Sequence, residues 1–343
     1  MGSTFASTAI LSYELDEQLA DLVPRLGEAD ARRVYELSCS AIGTLGDVSA
    51  AVGGGVGFNR RHEFYFARND EDATDRRREF EMRHALGFRI ALLTRNEIES
   101  LFPFSRPLAT RSSEAAEVDP VRFTRALLNR AAGGGVRIFT DTVTTYAPGN
   151  AVELATESGG EIQARHVVFA TGYETKRFAD IPGAKLTSTY VVATEPLAAT
   201  PGWPEGAVIC EAGNPYSYMR KTDDGRLLYG GEDEPFADPA AMRAALPAKV
   251  NLMAERLQAM FPELRFRVDA AWAAVFSSTV DGLPFIGPHP DFPGASFALG
   301  YGGNGITFAA IATDILTDQI LGRDTPDARL FRFGRSAGTD EEA

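Results

Sequence analysis

Phe297-Ala298-Leu299-Gly300-Tyr301-Gly302-Gly303-Asn304-Gly305-Ile306-Thr307 runs strand, turn, helix. The three leading apolar residues make a short strand and the glycines a turn. Ile306 to Leu321 then carries the apolar spacing of an amphipathic helix, stopped by Gly322. Gly300, Gly302 and Gly305 match the letters G-x-G-x-x-G, yet a lone match is weak, and no second strand ending in an acid follows to hold a ribose. Two readings stay open. A helix start offers free N–H groups and partial positive charge, and glycines let a flat ligand come close, so an anion is stabilised there. A plain tight turn with a permissive backbone explains the same letters.

Upstream of the turn lies His166-Val167-Val168-Phe169-Ala170, a continuous apolar run expected of a strand buried on both faces. Before it, Gly159-Gly160 separates Ala151–Leu154 from Glu161–Gln163, a hairpin signal. Val136-Arg137-Ile138 and Asp141 to Tyr146 read as strands. Asp119-Pro120 starts a helix that should carry Phe123, Leu127 and Leu128 inward and stop at Gly133-Gly134-Gly135. Further back, a helical region after Ala9 is broken by Pro24 and Gly27 and resumes at Glu28. Glu63 to Ala67 reads as a strand, and Glu71 to Arg83, with charges of alternating sign, as a solvated helix face. Ser188 to Trp272 changes to strands and turns around a helix from Pro239 to Phe261, which suggests a second domain with an antiparallel sheet. Gly231-Glu232-Asp233-Glu234 could meet a cation but reads first as a solvated loop. Ser336 to Ala343 reads as an acidic tail.

The 343 residues suffice for two domains and a large core. The net charge of −13 disfavours nucleic acid and anionic lipid as partners. Cys39 and Cys210 stand alone, and His62, His84, His166 and His289 share no metal-ligand spacing, so no metal site is expected. Ser7 and Ser40 have no His–Asp arrangement that would support nucleophilic hydrolysis. Cysteine usage fits the cytoplasm, no apolar run approaches the roughly 20 residues of a membrane span, and no signal peptide is visible.

Taken together, His166 to Gly172, Asp281-Gly282-Leu283-Pro284-Phe285-Ile286-Gly287 and Leu299 to Thr307 resemble the FAD-dependent oxidoreductases of the D-amino-acid oxidase (DAO) superfamily, which includes glycine and sarcosine oxidases. Glu117 to Val143 is similar to that family's second nucleotide-contacting region. The resemblance implies an α/β fold with a split FAD-binding-type domain (1–55, 115–185 and 275–335) and an antiparallel substrate domain (56–114 and 186–274). It implies FAD as cofactor. Ser3, Thr4, Thr8, Ala9 and Ile10 would line the pyrophosphate and reach the flavin, and Val143 would meet the adenine. Thr171 and Gly172 would lie beside the nucleotide, with Tyr301, Gly302, Gly303, Asn304, Gly305, Ile306 and Thr307 at the flavin N1/O2 edge. The implied reaction is hydride transfer to flavin from a C–H next to the nitrogen of an amine or amino acid.

Two departures qualify this. The family's opening strand, G-x-G-x-x-G turn, helix and second strand have no counterpart here, so an incomplete parallel sheet with exposed apolar surface is expected. A non-catalytic remnant or binding protein unable to hold FAD is therefore one alternative, and a flavin-dependent hydroxy-acid dehydrogenase another. Second, where glycine and D-amino-acid oxidases carry a carboxylate-clamping arginine this chain has Phe276, and where glycine oxidase has a second arginine it has Gly303. Phe cannot form a bidentate clamp. The substitute candidate is Arg220 in Tyr216-Ser217-Tyr218-Met219-Arg220, with Tyr218 nearby, against the plainer reading of an arginine on an exposed strand face.

Overall fold

A computed structural model describes residues 2–177, 184–213, 215–236 and 238–335. From the N-terminus the chain runs through α1 (Ser3–Ala6), β1 (Ile10–Leu11), α2 (Leu19–Leu26), α3 (Glu28–Ala51) and β2 (Asn59–Ala67). Next come α4 (Asp70–Ala85), β3 (Ala91–Thr94), α5 (Arg95–Leu101), β4 (Leu108–Glu117) and α6 (Pro120–Gly133). Strands β5 (Val143–Ala147), β6 (Val152–Thr156), β7 (Glu161–Ala164) and β8 (Val167–Phe169) lead into a short 3-10 helix, Gly172–Arg177. The chain continues through β9 (Lys185–Thr194), β10 (Ala207–Glu211), β11 (Ser217–Lys221), β12 (Leu227–Pro235), α7 (Pro239–Met260) and β13 (Val268–Ser278). It closes with β14 (Phe285–Pro288), β15 (Ala295–Leu299) and α8 (Gly305–Ile320).

The result is mixed α/β. A large sheet of order β1-β4-β2-β10-β11-β12-β9-β13, with β3 added on β4, stands beside two three-stranded sheets, β14-β15-β8 and β5-β6-β7. Local chemistry sets the helix starts. Asp119 Oδ1 accepts from the N–H of Val121 and Arg122 at 3.0 and 2.9 Å, and Asp238 does the same for Ala240 and Ala241. Alternation divides the large sheet into two faces. Phe64, Phe66, Ile209, Met219, Tyr229, Tyr190 and Val192 pack with α7 residues Met253 and Leu257 into a core. The opposite face carries Glu63, Tyr65, Cys210, Tyr218, Arg220 and Thr189. A second core joins α2, α3 and α8 to Leu11, Tyr13 and Leu15. Among the described residues, no helix is long and apolar enough to cross a membrane.

Several expectations are corrected. Residues 10–18 are not helical: Ile10 and Leu11 pair with Glu117 and Ala116, because their apolar side chains complete a sheet edge. Pro24 lies inside α2 rather than ending it. Helix α4 is not a solvated face, since Arg76, Glu79 and Arg83 are fully buried. Leu127 and Leu128 are exposed, and Val136-Arg137-Ile138 forms no strand; Val136, Ile138 and Phe139 stand in solvent, Phe139 at 75% exposure. Strand β8 is not buried on both faces. Its described pairing is to β15 alone, and Val168 is 42% exposed. The misreadings of α4, of Leu127 and Leu128, of residues 136–139 and of β8 concern apolar or charged runs whose burial depends on distant neighbours. Gly231 to Glu234 is not a solvated loop but part of β12. The proposed tail, Ser336 to Ala343, lies outside the described residues.

Candidate active site

Strands β8 and β15 are parallel, so the turns that follow them open at the same end of their sheet. One is Thr171-Gly172 and the other Gly300 to Asn304. Ligands of open parallel sheets bind beyond such carboxyl ends. Gly300 and Gly302 have φ of +73° and +56°, the left-handed region that glycine enters without cost. The Gly302 N–H donates to the Ser277 carbonyl at 2.9 Å, and the Gly303 N–H to Asp16 Oδ2 at 2.7 Å. Asn304 Nδ2 donates to the Glu14 carbonyl at 2.9 Å, and the Thr307 hydroxyl to that of Ser12 at 3.4 Å. Residues 12–16 therefore lie along the start of α8. A Cβ on Gly302 or Gly303 would strike the Asp16 carboxylate. The N–H groups of Gly302 and Gly303 are thus taken up within the protein, and the donors open to an anionic flavin edge are those of the first turn of α8, Gly305 to Thr307. Both readings of the glycine turn remain compatible with this geometry.

The N-terminal loop is pinned to the large sheet. Trp272 Nε1 donates to the Ala6 carbonyl at 2.8 Å, Arg220 Nε to that of Thr8, and the Val118 N–H to that of Ala9 at 3.3 Å. Ala9 has φ +52°, a conformation that costs a β-carbon residue about 1 to 3 kcal/mol, and the Ser7 hydroxyl holds its N–H at 3.0 Å. Ser3 and Thr4 are exposed on α1, which packs against β13 and α6; Thr8 and Ala9 are buried and Ile10 half-buried. Thr171 shares a 2.6 Å hydroxyl contact with Thr175. Gly305, Ile306 and Thr307 open α8, and Tyr301 stacks on Phe308 at 6.4 Å. Val143 stands apart, on β5, whose Tyr146 meets Phe169 of β8 at 5.9 Å.

Arg220, Tyr218 and Phe276 occupy different strands of the large sheet. Arg220 is neither exposed nor free: its guanidinium also lies 3.5 Å from Glu117 and from the Val118 carbonyl. Its donors hold the N-terminal loop against β4. Tyr218 packs flat over Gly230, where a Cβ would collide with the ring, and meets Tyr216 at 5.6 Å and the Thr189 hydroxyl at 3.5 Å. Phe276 is half-buried opposite Thr187. Two residues went unrecognised in the sequence, Asp16 and Thr189; the half-buried Asp233 lies in the acidic run that the sequence offered as a possible cation contact but ranked first as a loop. An acid three residues after Tyr13, one turn-length before a helix, was the available signal for Asp16.

Behind the site lies a buried ion network. Glu14 pairs with Arg76 and, at 2.7 Å, with Arg83, which also meets Glu79 at 2.6 Å. Glu79 accepts the first N–H groups of α2, those of Leu19 and Ala20, at 3.1 and 2.9 Å. Burial alone would raise the Glu14 carboxyl; Arg76 and Arg83 outweigh it and hold it below its usual range. This network fixes residues 12–20, hence the carbonyls on which Asn304 and Thr307 rest.

The model of a family described as FAD dependent oxidoreductase (DAO) matches residues 1–319. A glycine oxidase of Bacillus licheniformis is 26% identical over 215 residues, 60% of this chain and 56% of that protein. A probable oxidoreductase, OrdL, of Haemophilus influenzae is 25% identical over 231 residues, 62% of this chain and 49% of that protein. The chain thus spans about half the length of these curated relatives. The crystal structure of glycine oxidase from Geobacillus kaustophilus superposes with a TM-score of 0.81 at 18% identity, covering 98% of this chain and 89% of that one, which shows a shared fold. The chain belongs to the DAO family of FAD-dependent oxidoreductases, whose cofactor is FAD.

Proposed function

We propose that the chain oxidises the C–N bond of an amine or amino acid. FAD, when bound, supplies the acceptor for a hydride leaving the C–H next to nitrogen, and the resulting imine hydrolyses in water. The protein's part is orientation and electrostatics. The start of α8 offers backbone donors to negative charge, and the Gly302-Gly303 turn, tied to Ser277 and Asp16, positions them. Thr8, Ala9 and Ile10, pinned by Trp272 and Arg220, set the loop that faces β13. Tyr218 and Phe276 supply ring surfaces on the sheet face opposite the core. The carrying observation is the glycine turn that opens α8 at the shared carboxyl end of β8 and β15, in a chain that belongs to a FAD-dependent family.

One observation favours a second reading, a binding protein that does not hold FAD. Val168 on β8, with Val136, Ile138 and Phe139, exposes apolar surface that a partner could cover. One experiment separates the two. The chain is incubated with FAD, freed of unbound ligand, and its visible spectrum recorded. A retained flavin band, with reduction of an artificial acceptor by amines, is the expected result. A folded chain without the band would overturn the proposal. Turnover of hydroxy acids but not amines would redirect it to hydroxy-acid dehydrogenation.

A further inference from the structure

We propose that Asp233 is the specificity-determining residue of this site, accepting the cationic ammonium of the substrate, so that the substrate is an amine held by its positive end and not by a carboxylate. The inference rests on the flavin-site reading above and narrows it.

The placement of Asp233 follows from a break in β12. The β12–β9 register shifts between Gly231 and Glu234. Bulges of this kind re-aim side chains. Gly231 takes φ +139°, and a Cβ there would strike the Tyr216 carbonyl, so both the backbone conformation and the space require glycine. Glu232 takes φ +58°, a strained conformation for a residue with a β-carbon. That strain is held from the α7 side: Arg256 pairs with the Glu232 carboxylate, and Lys249 Nζ donates to the Glu232 carbonyl at 3.0 Å. Glu234 also turns to that side, meeting the Tyr190 hydroxyl and, at 3.2 Å, Lys249. Its two acidic neighbours are thus occupied by partners on or above the core face. Asp233, between them, interacts with Thr189, Tyr218 and Asp16 instead. Its Oδ1 is buried with no hydrogen-bond partner.

A buried carboxylate oxygen without a donor costs free energy, and a donor-bearing cation would recover it. The groups facing Asp233 do not supply one. The Thr189 hydroxyl hydrogen-bonds the carboxylate but carries no charge and leaves Oδ1 unmet, Asp16 repels it, and the Lys249 ammonium, though its charge is felt, is engaged by Glu234 and the Glu232 carbonyl. Arg220, on the same sheet face, is engaged by Thr8 and Glu117. Burial pushes the Asp233 carboxyl up to about 6, with Asp16 adding to the rise and Thr189 and Lys249 opposing it, so the group is ionised above neutrality. Tyr218 on β11, and Trp272 and Phe276, four residues apart on one face of β13, add ring surface suited to a cation.

The test uses the FAD-loaded chain, titrated calorimetrically with benzylamine and with benzoate. Wild type is expected to bind benzylamine at least tenfold more tightly than benzoate, and the preference should grow between pH 5 and 7.5. Asp233→Asn should weaken benzylamine at least tenfold, improve benzoate, and flatten the pH dependence. Asp233→Ser, which also removes the charge, should behave alike if Asn perturbs the bulge, and retained flavin absorbance certifies each fold. Unchanged benzylamine affinity in both variants, or a wild-type preference for benzoate, overturns the Asp233 assignment while leaving the flavin site standing. A wild-type chain that retains no flavin overturns both.

Discussion

Strands β9 and β8 both carry apolar runs, Tyr190-Val191-Val192-Ala193 and Val167-Val168-Phe169, and meet opposite fates. β9 lies between β12 and β13, and all four of its residues are buried. β8 is paired to β15 on one side, and its central valine is exposed. An apolar run makes a strand; layers packed on both of its faces make it interior. The large sheet is therefore a finished platform, while the small sheet presents its glycine turns from a sparse frame. What holds those turns is contact with the platform's own attachments: residues 12–16 along α8, and the ion network beneath them.

The largest effect should come from breaking that attachment. Arg83→Met removes a buried cation shared by Glu14 and Glu79. Breaking one partner of a buried pair costs about 3 to 5 kcal/mol, because the remaining charge loses compensation. Urea unfolding should show a loss of that size. A loss under about 1 kcal/mol would mean that the platform and the small sheet are joined by apolar packing alone.

A smaller effect sharpens the comparison from the platform side. Glu63, on β2, accepts from the Ser12 hydroxyl at 2.8 Å, and burial, with the Glu14 charge adding, pushes its carboxyl up to about 7 from an ordinary 4.5. The folded chain keeps that proton up to about pH 7, whereas the unfolded chain releases it near 4.5. Between those values the folded state binds more protons, so this contribution to stability falls as pH rises and stays lost above 7. Glu63→Gln should therefore stabilise the protein at pH 8 by on the order of 2 kcal/mol and be nearly neutral at pH 4.5. Equal stabilisation at both pH values would show that Glu63 ionises normally in the fold.

The local signals were legible in the sequence. Asp119, Gly133 and Gly322 act on residues beside them, and helix ends follow. The hairpin around Gly159-Gly160 and the strand-turn-helix at Gly300 were legible for the same reason. The buried stripe of α4 was not, because its partner Glu14 lies about 60 residues away, and alternating charge reads alike on a solvated or a paired face. Arg76, Glu79 and Arg83 do share one helical face by spacing, which was the available clue. Asp233 was hidden by a bulge. Period-two alternation cannot foresee a register shift, and the acidic run around it resembled a loop.

The smallest expected effect returns to the pair of strands. Val168→Lys on β8 places a charge on a residue already in water, and exposed substitutions of this kind change stability by no more than about 0.5 kcal/mol. The same change at the fully buried Val191 on β9 would bury an unpaired ammonium against a covered face of the large sheet and should prevent folding. The contrast rests on the open side of β8. If Val168→Lys instead cost 2 kcal/mol or more, Val168 would be covered in solution. Repeating the measurement over a range of protein concentration would then identify what covers it. A cost that falls away on dilution belongs to contact between copies of the chain, since association stabilises by mass action. A cost independent of concentration belongs to the chain itself.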